Sequence, residues 1–129
     1  PAFAVGEIDP IRILAADWES GRLRLKLSRA PEIDWMQIFK NPRGNWGSLQ
    51  GSGPESFQFG GDTATVRADE QYAQQIIDYA KGYLDMANRS YQTELAMRAK
   101  QEERAYREKL TQEQAAAETR ARVVSKLKI

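Results

Sequence analysis

The sequence predicts an α+β fold. A small, mostly antiparallel sheet of four strands forms two hairpins, a short helix lies between them, and a long C-terminal helix packs on one face and extends beyond it. Three observations carry this expectation. Apolar and charged side chains alternate with period two, most cleanly in "RLRLKLS", Arg22 to Ser28, which marks a half-buried strand. Apolar positions recur at helical spacing from Ala73 to Leu95. From Glu70 to about Lys126 there is no proline and a single glycine, Gly82.

The first strand is expected in "PIRILAADW", Pro10 to Trp18, with Ile11, Ile13 and Ala15 on one face and Arg12, Leu14 and Ala16 on the other. Glu19 to Gly21 supplies turn residues, so the two strands make a hairpin. Leu23, Leu25 and Leu27 face its apolar side, and Arg22, Arg24 and Lys26 its polar side. Pro31 suits the start of a helix, where no donor is needed, and Glu32 and Asp34 suit its positive end. Trp35, Ile38 and Phe39 then form one stripe directed at the hairpin, and Pro42 stops the helix. A second hairpin is expected from Ser56 to Phe59, a turn over Gly60 to Asp62, and Thr63 to Ala68, with Ala64 and Val66 facing in. Asp69 is placed to cap the long helix.

Some 55 helical residues would span roughly 80 Å. Ala73, Ile76, Ala80, Leu84, Ala87, Tyr91 and Leu95 follow one another at spacings that repeat every eleven residues, which favours a nearly straight seam. Ile77 and Tyr83 widen it. Tyr72, Tyr79, Tyr83 and Tyr91 crowd this half, their rings expected in packing and their hydroxyls at solvent. Beyond Leu95 the stripe thins: Tyr106 and Ala117 continue one register, Leu110 and Ala121 another. Three pairs, Glu94–Arg98, Glu103–Arg107 and Glu118–Arg122, stand four residues apart in the favourable order. The 129 residues therefore divide into an α+β domain, 1–97, that includes the first half of the helix, and a projecting charged helical extension, 98–129. Residues 1–97 carry 10 basic and 13 acidic side chains, and residues 98–129 carry 9 and 5. This mild basic bias at the tail is the main asymmetry of a chain whose net charge is +1.

Composition removes several chemistries. With no cysteine, there are no disulfides, thiolate metal sites or cysteine nucleophiles. With no histidine, the commonest general base and transition-metal ligand are missing. Asp9, Asp17, Glu19, Asp34, Asp62 and Asp69 sit where turns and helix starts use carboxylates. No catalytic, cofactor-binding or metal-binding residue is expected, and the chain is not expected to be an enzyme. No apolar run approaches the roughly 20 residues that span a bilayer, and the N-terminal "PAFAVGEIDP" is too short and too soon acidic for a signal peptide. A cytoplasmic setting without membrane contact is the expectation.

The stretch from Asn41 to Asp62 holds six of the nine glycines. It has neither the lysine of a Walker loop nor the strand-to-helix context and third glycine of a dinucleotide fingerprint. Its core, Arg43 to Gly53, has Trp46 and Leu49 as its large apolar residues; exposed, they would be partner contacts, and buried, they would be scaffold. The leading expectation is a protein-interaction or oligomerisation module that uses Tyr91, Leu95, Tyr106, Leu110, Val124 and Leu127 on the long helix and Trp46 and Leu49 on the loop. The alternative is nucleic-acid binding through the basic C-terminal helix and a basic sheet face of Arg12, Arg22, Arg24, Lys26 and Arg67. That face lacks the aromatic platform that single-strand binders use.

Overall fold

Alternation in Arg22–Leu27 resolves into two clean faces: Leu23, Leu25 and Leu27 are buried while Arg22, Arg24 and Lys26 are exposed. Around this strand a computed structural model, describing residues 6–44, 46–49 and 51–129, places the elements in the expected order. They are β1 (Ile13–Glu19), β2 (Arg22–Leu27), α1 (Ile33–Lys40), β3 (Gln58–Gly60), β4 (Thr63–Arg67) and α2 (Ala73–Lys126), with single 3-10 turns at Pro54–Ser56 and Glu70–Tyr72. The sheet is antiparallel throughout, in the order β1-β2-β4-β3. The fold is α+β. The chain separates into two compact units, residues 7–93 and a second unit whose described residues are Gly6 and 94–129.

The β1–β2 turn is tight because Ser20 and Gly21 both adopt positive φ, 50° and 82°. That is the handedness a two-residue hairpin needs to match the strand twist. In β1 the expected alternation fails for a local reason. Ile13 pairs with Leu27 but Ala15 pairs with Lys26, so Leu14 is an extra residue, a β-bulge. Past the bulge the faces exchange. Ala16 and Trp18 stand opposite the buried Leu25 and Leu23, and Ala15 stands opposite the exposed Lys26, the reverse of the simple reading.

Other boundaries shift slightly. The short helix begins at Ile33 with Glu32 at its N-cap position, two residues later than a start at Pro31. Pro54–Ser56 forms a 3-10 turn, so β3 begins at Gln58 instead of Ser56. Asp69 occupies the cap position of the turn before α2, but its side chain makes no cap hydrogen bond; its carbonyl instead accepts from the Tyr72 amide at 2.9 Å.

The core of residues 7–93 is aromatic. Trp35 and Phe39 stack at 5.4 Å, and Phe39 meets Phe57, Phe59 and Tyr83 edge-on at 5.2, 5.2 and 5.8 Å. The rings of α1 thus lock onto the second hairpin segment and α2. Ile76, Ala80, Leu84, Ala87 and Tyr91 of the eleven-residue stripe are all buried here, as are Ala64 and Val66 of β4. Tyr83, which widens the stripe, is also buried.

Candidate functional site

Three surfaces follow from the expected contacts: the loop after α1, the outer sheet face, and the second half of α2.

The loop is held down. Trp46 Nε1 donates to the Arg43 carbonyl at 2.8 Å, which closes a turn, and its ring meets Tyr83 edge-on at 6.2 Å. The Tyr83 hydroxyl donates to the Gly47 carbonyl. It therefore reaches the loop instead of solvent, and the buried hydroxyl of a core tyrosine gains its partner. A Cβ at 47 would stand 2.7 Å from the Tyr79 ring, so a larger residue there would have to displace that ring. Tyr79 in turn stacks on Tyr83 at 6.5 Å. Further along, the buried Ser52 hydroxyl donates to the Arg67 carbonyl at 2.6 Å, and the Ser52 amide to Leu49 at 2.9 Å. Trp46, pinned by its ring contact with Tyr83, remains 36% exposed, and Leu49 is half-buried. Asn45 and Gln50 of this loop, and residues 1–5 of the N-terminal stretch, lie outside the described residues.

The outer sheet face gathers four of the five expected basic residues. Arg22 stands opposite Arg67, Arg24 opposite Thr65, and Lys26 opposite Thr63. Acidic groups from β1 interleave with them: Glu19 lies opposite Arg22 and Asp17 opposite Arg24. Asp62 forms an ion pair with Lys26, which holds its carboxyl below the usual range. Arg12, exposed and just before β1, extends the β1–β2 pairing, its carbonyl accepting from Ser28 at 2.8 Å. Three carboxylates among the four sheet cations leave little field to hold a phosphate backbone.

The second half of α2 is the most exposed surface. Tyr91 is buried and leaves the expected contact series; it belongs to the core of residues 7–93. Burial raises its hydroxyl pKa, and a hydrogen bond to Glu32 adds to the effect. Leu95 and Ala99 are half-buried, and beyond them Tyr106, Leu110, Val124 and Leu127 are 39%, 46%, 55% and 67% exposed. Two expected ion pairs close along the helix, Arg98–Glu94 at 3.0 Å and Arg107–Glu103; Glu118 and Arg122 form none among the described residues. A depression of about 560 Å³ lined by Lys100, Glu103, Arg104, Arg107, Glu108 and Thr111 is open, charged surface of this one helix rather than an enclosed ligand site.

Sequence reasoning missed Asn88. Its Oδ1 accepts from the Ile11 amide and from Trp35 Nε1, both at 3.0 Å, and its Nδ2 donates to the Ile11 carbonyl at 2.9 Å. One turn on, Gln92 Oε1 accepts from the Ile8 amide at 2.7 Å. A polar residue four before Gln92 on the helix was the available signal.

Among the described residues no group of three His, Cys, Asp or Glu side chains could hold a metal ion, and no helix is long and apolar enough to cross a membrane. No protein-family model, curated protein or solved structure matches the chain.

Proposed function

We propose that this chain is a non-enzymatic interaction module whose second α2 half, from Leu95 to Leu127, carries the contact with a partner protein or a second copy. One observation carries the reading. The eleven-residue stripe is only half-buried at Leu95, yet large apolar residues go on appearing on the exposed helix beyond Glu103, at Leu110, Val124 and Leu127. A helix that is polar all round needs no such residues, and an exposed apolar series marks a contact surface. A cytoplasmic setting belongs to the same proposal. The acidic residues interleaved on the outer sheet face argue against giving nucleic acid equal weight.

Replacing Leu110 and Val124 together with lysine tests the reading. Both side chains are exposed, so the helical circular dichroism and thermal unfolding of the chain are expected to stay close to wild type. Association measured by analytical ultracentrifugation is expected to weaken at least tenfold. Unchanged association with intact folding would show that the contact lies elsewhere.

A further inference from the structure

The proposed contact face carries a repeating pattern of charge. From Leu95 the seam repeats every eleven residues, with three positions in each repeat. The first two are apolar: Leu95 and Ala99, then Tyr106 and Leu110, then Ala117 and Ala121. The third is Glu102, then Glu113, then Val124. Lys109 and Arg120 stand four residues before Glu113 and Val124, on the flank that carries the seam carboxylates.

Among the described residues these charges form no ion pairs. Glu94 with Arg98 and Glu103 with Arg107 close along the helix, but Glu102, Lys109, Glu113 and Arg120 enter no ion pair among the described residues. A parallel pairing in register sets each position against itself. Glu102 would then face Glu102 and Glu113 face Glu113 at the seam, and such like-charge opposition is costly. An antiparallel pairing reverses the order of the partner, so the third position meets the second. It also brings like flanks together, which sets seam carboxylates beside the partner's bases.

We infer that residues 95–128 pair antiparallel with the same segment of a second copy of this chain, with Leu110 facing the partner's Glu113. In this register Glu102 faces the partner's Ala121 with the partner's Arg120 beside it. Glu113 likewise has the partner's Lys109 at its side. Large meets small at one further layer, Val124 against the partner's Ala99. The centre of the contact, from Arg104 to Ala121, lies on the exposed part of the helix, and Leu95 and Ala99 at its end are half-buried. This inference rests on the contact face proposed above and adds the identity and direction of its occupant.

The native chain has no cysteine, so introduced thiols report positions without interference. Ala99→Cys and Val124→Cys are made separately in the full chain, and their oxidation is followed alone and after mixing, at a concentration where light scattering reads a dimer. The expected result is a covalent dimer from the mixture and little from either variant alone. In the antiparallel register like sites lie 25 residues apart along the seam, about 37 Å at the helical rise, far beyond the roughly 7 Å a disulfide allows. Each variant cross-linking to itself, with no gain on mixing, would overturn the orientation and leave helix-mediated self-association standing. A single-chain mass at every concentration would overturn self-association; loss of partner capture by the Leu110 and Val124 lysine variant would then still support the face as a contact for a different protein. A charge exchange supplies a second reading. Glu113→Lys is expected to weaken the dimer at least tenfold and Lys109→Glu in the same chain to restore it; no effect from either would overturn the charge pairing.

Discussion

Asn88 fixes the entry to the sheet with a single amide, because it satisfies both polar groups of the Ile11 backbone and the indole of Trp35 at once. Asn88→Ala leaves the indole N–H of the fully buried Trp35 without its partner, as well as the backbone groups of buried Ile11. Such an orphaned group costs about 1–3 kcal/mol, so a loss of about 3 kcal/mol in urea unfolding is expected, with shared solvation limiting the sum. A conservative Asn88→Gln, whose amide sits one methylene further out, is expected to recover only part of it. At the same scale, Tyr83 and Tyr91 set an alkaline limit. Burial is the main cause raising both hydroxyl pKa values, with Tyr79 and Glu55 adding to it at Tyr83 and Glu32 at Tyr91. A folded pKa above the unfolded value of about 10 means the neutral form is the one the fold favours. That stabilisation is complete below pH 10 and is lost as pH rises through the folded values. Two tyrosines are therefore expected to titrate late in ultraviolet difference spectra, and the denaturation midpoint to fall only as pH rises above about 10.

At the scale of elements, Gly82 reads in the sequence as a weak point in a long helix, but its neighbour explains it. A Cβ at 82 would lie 3.4 Å from the Trp46 ring, ordinary contact distance, so glycine is not demanded by space for a methyl group. Gly82→Ala is expected to raise stability, by up to about 1 kcal/mol from helix propensity. Gly82→Leu is expected to dislodge Trp46, seen as a red shift in tryptophan emission with loss of loop protection from protease. Where local pattern and tertiary role coincide, the elements were legible. The period of two in Arg22–Leu27 and the eleven-residue spacing from Ile76 to Tyr91 both mark faces that the core buries. The Leu14 bulge was not legible, since one inserted residue leaves composition and hydrophobicity unchanged and acts only through register with β2. Nor was the anchoring of Gly47, which depends on a tyrosine 32 positions later in the chain coming to rest against it.

At the scale of the whole molecule, residues 7–93 hold all three tryptophans and every buried side chain named for the core. Ending the chain after residue 97 is expected to leave tryptophan emission unchanged and to shift the thermal midpoint by only a few degrees. Light scattering on the same truncated chain is expected to read a single-chain mass at concentrations where the full chain associates. A truncated chain that unfolds would place part of the core's stability in the removed segment. The candidate contact face was partly legible, because Leu110, Val124 and Leu127 break an otherwise polar pattern. Its proposed direction is harder to read, because the pairs it invokes, Glu113 with the partner's Lys109 and Glu102 with the partner's Arg120, would form only between copies.

The unbroken run of α2 from Ala73 to Lys126 also has a kinetic consequence. Starting a helix is the unfavourable step, with a nucleation factor of order one in a thousand, whereas adding a residue to an existing turn is nearly neutral or better. The buried turns up to Tyr91 are that existing turn, so the exposed half lengthens from a ready-made end and never has to nucleate in water. Its amide protons should then exchange faster than those of the buried turns, slowest beside Tyr91. A binding partner would meet a helix already wound, and association would proceed without a folding step to slow it.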